Sequence, residues 1–423
     1  MMKPSGIEWI GIIPDDWKTN TAFQIFTQVK NKNEGLQEQN LLSLSYGKIK
    51  RKGIETVGGL LPESFDGYNI IEADDIVLRL TDLQNDQKSL RVGLSPERGI
   101  VTSAYLTLRN RSNSLPQYLY YYLHAFDISK GFYGMGAGVR QGLNWDGLKW
   151  LKILTPPVQE QEKIVRFLDT ECARIDAVIE QTRASIEEYK KLKQSVITEA
   201  VTKGIRPGRK MKASGIEWVG EIPEDWEVRR IKTLFRLRDE KNYLPLEEVN
   251  LISLYTDKGV VQHCDLEQTT GNKASNADGY KKVYENDIVV NIILCWMGAI
   301  GRSAYTGVTS PAYDIYVPSD EIECRYYHHY FRTKGFSGDC YKRGKGIMAM
   351  RWRTYSDQFR DIPVVMPPKK EQQEILAYLD TKTAEIEKLI AKKEKFLAEL
   401  EAYKKSLIFE YVTGKKCCSE RTC

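Results

Sequence analysis

Ser5-Gly6-Ile7-Glu8-Trp9-Ile10-Gly11, running on to Ile13-Pro14-Asp15-Asp16-Trp17, returns as Ser214-Gly215-Ile216-Glu217-Trp218-Val219-Gly220, running on to Ile222-Pro223-Glu224-Asp225-Trp226. The offset, Ser5 to Ser214, is 209 residues in a chain of 423. A solenoid unit is roughly 20–50 residues long, so this is a whole module duplicated in tandem. A second landmark, Pro156-Pro157-Val158-Gln159-Glu160-Gln161, returns as Pro367-Pro368-Lys369-Lys370-Glu371-Gln372. From there the offset holds at 211 without a gap, from Phe167-Leu168-Asp169 (Tyr378-Leu379-Asp380) to Val201-Thr202 (Val412-Thr413). Between the landmarks the offset wanders: Leu41-Leu42-Ser43-Leu44 resembles Leu251-Ile252-Ser253-Leu254, Asp75-Ile76-Val77 resembles Asp287-Ile288-Val289, and Lys130-Gly131-Phe132 resembles Lys334-Gly335-Phe336. Each half therefore has a variable body and a tail of fixed length. That pattern suits two different specificities carried on one scaffold.

The tails read as long helices. From about Val158 to Lys203 there is no Gly or Pro. Leu168, Ile175, Ile179 and Ile186 fall on alternating steps of three and four, the seam of a coiled coil. The second tail repeats the seam at Leu379, Ile386, Ile390, Leu397 and Leu407. Each helix follows a Pro-Pro pair, which favours a helix start just downstream. Gly204 and the stretch 205–210 supply stop signals for the first. A helix of some 45 residues reaches about 65–70 Å. The plain alternative is a coiled coil that only adds stability; the absence of insertions favours a spacer between the bodies.

Within the bodies, short β-branched and aromatic runs alternate with turn residues. Residues 40–50, 75–80 and 100–109 read as strands in the first body, and 249–255, 287–296 and 313–317 in the second. Tyr-rich segments, 117–125 and 325–332, read as helices whose aromatics are core. Net charge is +5, from 62 basic and 57 acidic residues, too mild to identify a partner. No signal peptide is expected. The longest apolar stretch, Ile288 to Ile300, is too short to span a bilayer. Eight cysteines show no CxxC pair and no zinc spacing with the four histidines, so reduced thiols are expected and no metal.

After each Tyr-rich segment comes a stretch rich in Gly, basic and aromatic residues. The first body has Tyr133, Arg140 and Gln141; the second has Lys342, Arg343, Lys345, Arg351 and Arg353. Gly allows close backbone approach, Lys and Arg neutralise phosphate, and Arg or Gln reads base edges through paired hydrogen bonds. These stretches are candidate DNA-entering loops, with ordinary solvated loops as the alternative. Lys48, Lys50, Arg51 and Lys52 form a basic turn that could grip phosphates, as could Lys281-Lys282. Catalytic motifs are missing. There is no phosphate loop. Neither Pro-Pro pair sits in an Asp/Asn-Pro-Pro-aromatic context of the kind that holds a flipped adenine.

Taken together, the SGIEWIG…IP…W starts, the Pro-Pro-x-x-Glu-Gln motifs and the helices after them resemble the specificity subunit of type I restriction–modification systems. The resemblance covers essentially the whole chain. It implies an α+β fold with two mixed α/β target recognition domains in a tandem pseudo-twofold repeat, separated by two long antiparallel coiled-coil helices. The expected divisions are recognition domains at 1–157 and 214–368, helices at 158–204 and 369–414, a linker at 205–213 and a tail at 415–423. It also implies a cytoplasmic, non-catalytic subunit with no cofactor of its own. Its partners would be a split double-stranded DNA site, two methyltransferase subunits that bind S-adenosylmethionine, and motor–nuclease subunits; no membrane is involved. Gly138-Val139-Arg140-Gln141 and Leu143 fit a recurrent pattern before the helix, whereas the second body carries Gly346-Ile347-Met348-Ala349-Met350-Arg351 there. The rivals are a coiled-coil adaptor whose bodies bind protein, and a self-sufficient methyltransferase or nuclease.

Overall fold

A computed structural model describes residues 1–53, 64–84, 86, 90–136, 142–263, 276–346 and 352–417. The chain divides into two compact units. One is Met1–Arg183 with Lys395–Cys423; the other is Ala184–Glu394. Each unit thus holds one α+β body, part of the helix Val158–Lys203 and part of the helix Lys369–Val412.

The repeated opening motif folds for local reasons. Gly6 and Gly11 take φ of +70° and +79°, as Gly215 and Gly220 take +74° and +71°, a region L side chains avoid. These glycines close a small loop in which Ser5 N–H donates to Gly11 O (2.8 Å) and Ser214 N–H to Gly220 O (2.9 Å). The loop brings Met2–Pro4 alongside Ile12–Pro14, and Met211–Ala213 alongside Glu221–Pro223. The motif's last residues, Trp17 and Trp226, are fully buried.

The two landmarks of each half meet there. Trp17 Nε1 donates to Glu160 at 3.2 Å, and Trp226 Nε1 to Glu371 at 3.1 Å. The next residue ties the helix start to the body. Gln161 accepts from Leu115 N (2.8 Å) and donates to Pro156 O (2.8 Å). Gln372 does the same with Glu323 N (2.7 Å) and Pro367 O (2.8 Å). Buried polar atoms must be partnered, so the Glu-Gln pair is a structural clasp.

Each body is built on a four-stranded antiparallel sheet. In body one the spatial order is Phe26–Gln28, Leu106–Asn110, Ile76–Leu78, Val92–Leu94. In body two it is Phe235–Arg238, Tyr313–Pro318, Ile288–Asn291, Ile300–Arg302. Side chains alternate across each sheet. Ile76 and Leu78 join the core shared with the helices, while Val77 faces a second small core with Leu42, Leu44 and Ile49. Ile288, Val290 and Val289 divide in the same way. Two of the expected strands are hairpins or strand pairs instead. Residues 40–50 fold as Leu42–Ser45 and Lys48–Arg51 around Tyr46-Gly47, and 100–109 as Gly99–Val101 and Leu106–Asn110. The expected strand 287–296 stops at Asn291 and gives way to a 3-10 turn, Cys295–Met297.

Inside each unit the helix segments run antiparallel. In the first, Phe167 meets Tyr411 (4.4 Å between rings), Asp176 pairs with Lys404 and Arg183 with Glu401 (2.9 Å). In the second, Tyr189 meets Lys393 (5.7 Å) and Lys193 pairs with Glu387. Of the seam residues, Leu168, Ile175, Ile179, Ile186, Leu379, Ile386 and Leu407 are buried, and Ile390 and Leu397 half-buried. Body helices also dock on these segments: Tyr118 Oη donates to Val412 O (3.2 Å) in the first unit, and Tyr326 Oη to Val201 O (2.6 Å) in the second.

Candidate nucleic-acid interface

In body one the basic run 48–52 is a strand and its exit, not a turn, and two of its charges are engaged. Lys48 pairs with Asp176 of the long helix (3.4 Å), and Arg51 lies against Glu97 with Nε at 2.6 Å. Lys50 and Lys52 are exposed and make no ion pair among the described residues, so they are the cations of this run free to meet phosphate. Tyr133 lies on a 3-10 turn, Gly131–Gly134, half-buried between two cations: the Arg91 guanidinium is 5.2 Å from its ring and the Lys130 ammonium 4.6 Å. Gly131 is required for packing, since a Cβ there would sit 2.1 Å from the Phe126 ring. Arg140 and Gln141 lie outside the described residues.

In body two the expected loop is largely a helix, Lys334–Arg343, capped by Thr333 Oγ1, which accepts from Phe336 N. Gly335 sits inside it because a Cβ would clash with the Trp218 indole at 2.1 Å. Lys342 is paired with Glu217, which holds the Glu217 carboxyl below its usual range. Arg343 is exposed on the last turn. Beyond the helix, Lys345 and Arg353 exchange backbone hydrogen bonds (2.8 and 3.0 Å) and close the stretch between them at its base. Trp352 stacks on Tyr341 (4.9 Å, 22°) and donates to its carbonyl (3.1 Å); only a glycine fits at 344 beneath that indole. Arg351 lies outside the described residues. Lys281 is in a strand and paired with Asp314 at 2.9 Å.

The sequence reading passed over two things. One is the connection between the last two strands of each sheet, 79–91 and 292–299. The other is Arg91, a solitary arginine in no recognisable pattern, which is fully buried at the root of the first connection. Among the described residues no group of three or more His, Cys, Asp or Glu could hold a metal ion, and no helix is long and apolar enough to cross a membrane.

Comparison with known proteins agrees with this architecture. The profile described as "Type I restriction modification DNA specificity domain" matches twice, at residues 14–188 and 223–396. The chain therefore belongs to the type I restriction–modification DNA specificity family. It is 27% identical to a Methanocaldococcus jannaschii protein named "Putative type I restriction enzyme MjaX specificity subunit", across 96% of this chain and 95% of that one. It is 23% identical to the type I restriction enzyme MjaVIII specificity subunit of the same organism, across 55% of this chain and 52% of that one. A chain from a solved structure titled as the basis of complex assembly and conformational transition of the type I R-M system superposes with a TM-score of 0.67. It covers 96% of this chain and 99% of that chain at 14% identity, so that likeness concerns the fold.

Proposed function

We propose that this chain is the non-catalytic DNA-reading subunit of a type I restriction–modification complex. Body one reads one half of a split site and body two the other. The observation that carries this reading is that two bodies with one strand order and one clasp differ in the side chains around the same candidate face: Tyr133 and its flanking cations in one, Arg343, Trp352 and Arg353 in the other. Phosphate contacts position such a protein while a few base contacts specify the sequence, so a mild net charge is no obstacle. Arg140, Gln141 and Arg351 belong to the base-reading set in this proposal; Lys50 and Lys52 belong to the phosphate set. Exchanging residues 20–155 for the corresponding body of another family member, in the assembled methyltransferase, should change one half of the methylated sequence. A change in both halves, or in neither, refutes the modular reading.

The helices would dock two methyltransferase subunits, which supply S-adenosylmethionine and extrude the target base, and motor–nuclease subunits would join for restriction. Phe396 and Tyr403, seven residues apart on the second helix, are about half exposed (46% and 55%), the kind of apolar stripe that marks a protein contact. Phe396→Glu should reduce co-purification of the methyltransferase severalfold. Full recovery of the complex would remove this face from the docking surface.

A further inference from the structure

The connection 79–91 of body one and its counterpart 292–299 of body two leave the same position in the sheet. Both are pinned by the same backbone bond: Leu143 N–H donates to Leu80 O (2.9 Å), and Thr354 N–H to Ile292 O (2.9 Å). Each connection therefore lies against the segment that immediately follows the candidate base-reading stretch. Their construction differs. In body two the connection is apolar, and Trp296 packs on Tyr341 (5.6 Å), which carries Trp352. In body one it is longer and polar, and it is wound around a single cation.

That cation is Arg91, with no exposed surface. Nε donates to Tyr133 Oη at 3.2 Å. One terminal nitrogen donates to Arg79 O (3.0 Å) and Thr81 O (2.9 Å), the other to Asp82 O (3.4 Å) and Asp86 O. A guanidinium has five N–H donors in a rigid fork, and all five are met, four of them by carbonyls of one short connection. A buried charge is tolerated only when its donors are satisfied. Moving any one carbonyl would strand a donor in a dry site, so the connection is locked as a unit. The lock extends to the neighbouring 3-10 turn, because the Tyr133 ring faces the guanidinium and its hydroxyl donates to Asp86 O (3.3 Å). Asp82 accepts a left-handed backbone, φ +56°, inside the wrap. Thr81 and Gln84 stand exposed on its outer side.

We propose that Arg91 is the positioning residue for half-site recognition by body one, holding the connection 79–91 as a second reading element beside the stretch that carries Tyr133, Arg140 and Gln141. Arg91 itself touches no DNA; it acts through the loops it fixes. The proposal rests on the reading in which each body takes one half-site, and it adds the connection 79–91 to the surface that discriminates bases.

The test uses the full complex with its methyltransferase subunits and measures methylation of duplexes altered one base at a time. Arg91→Lys keeps the charge but offers three donors in place of five. It should lower discrimination at the body-one half-site about tenfold, the scale of one good base contact, and leave the other half-site unchanged. Tyr133→Phe removes one partner of the fork and should lower it about threefold in the same direction. Equal loss at both half-sites, or wild-type discrimination in a folded Arg91→Lys complex, overturns the proposal. If Arg91→Lys does not fold, Tyr133→Phe decides alone, and wild-type discrimination there overturns it. The unaltered complex is the control: failure to methylate a bipartite site would refute the half-site reading itself, whereas a bipartite wild type with indifferent variants refutes only the role of Arg91.

Discussion

The same buried carboxylate anchors both bodies, yet its cation arrives from different strands. Asp75 accepts from Glu72 N–H (2.8 Å) and is gripped by Arg109 at 2.8 and 2.7 Å, from the strand Leu106–Asn110. Asp287 accepts from Tyr284 N–H (2.8 Å) and is gripped by Arg238 at 3.0 and 3.1 Å, from the strand Phe235–Arg238. By register, the position of Arg109 is held by Val317 in body two, and that of Arg238 by Val29 in body one. The arginine and the valine have changed places across two neighbouring strands. The constraint is thus on neutralising a buried charge at the sheet edge, not on which residue does it. A scaffold that keeps such demands while exchanging the residues that meet them can diversify its reading faces without losing its fold.

The clasp at the helix start gives the sharpest contrast between the units. Glu371 holds the Trp226 indole and also the Arg209 guanidinium, with only 3% of its side chain exposed. Glu160 holds the Trp17 indole alone and is half-buried. Removing one partner of a buried ion pair costs about 3–5 kcal/mol, and losing a single neutral-donor hydrogen bond about 1 kcal/mol. Glu371→Ala should therefore destabilise by about 3 kcal/mol, since Arg209 keeps Asp225, and Glu160→Ala by about 1 kcal/mol. Denaturant titration of the full chain reads both. Equal losses would show that Arg209 adds nothing to the clasp.

The exchanged arginine can be tested directly. Arg109→Val leaves Asp75, which is 1% exposed, without its cation; because Arg109 is itself partly exposed (44%), the cost should be about 2 kcal/mol. Adding Val29→Arg, which imitates body two, should restore about half. If the double variant is no more stable than Arg109→Val alone, the two strands are not interchangeable sources of charge.

These particulars also explain what the sequence could reveal. The opening motif was legible because its glycines answer to left-handed backbone angles and its tryptophan answers to a fixed glutamate. The helices were legible because a seam repeats wherever two helices meet. The hairpin at Tyr46 was hidden because a tyrosine, not a glycine or asparagine, takes the first left-handed position of the turn (φ +49°), with Gly47 at +74°. The strand 287–296 was read too long because Cys295, Trp296 and Met297 continue an apolar run that Gly298, at φ +87°, turns out of the sheet. The helix Lys334–Arg343 was taken for a loop because of its two glycines, one of which is demanded by Trp218. Charge was the least legible part: Lys48, Arg51, Lys342 and Lys281 looked available and are paired within their own units. Arg91 has no signature because its partners are carbonyls, which every residue has.

Acid should separate the two units, by the smallest margin of these tests. In the second unit, burial and then the neighbouring cations push His328 down to about 3; burial, then Arg325, opposed by Asp380, pushes His329 down to about 4. In the first unit, burial lowers His124 to about 4, but burial also raises Asp127 to about 6, against the pull of Arg91. A histidine whose folded value lies below its unfolded one, about 6.5, binds fewer protons folded, so stability falls as pH drops through that interval. A carboxyl with a raised folded value binds more protons folded, and stability rises over the same interval. His124 and Asp127 therefore largely offset each other between about pH 6 and 4. In the second unit the raised Asp339 offsets only one of two histidines. Moving from pH 7 to pH 5 should cost residues 184–394 on the order of 1–2 kcal/mol more than residues 1–183 with 395–417, read as a larger loss of amide-exchange protection in that unit. Substituting His328→Gln and His329→Gln should abolish the difference; if it persists, the acid sensitivity lies in other groups.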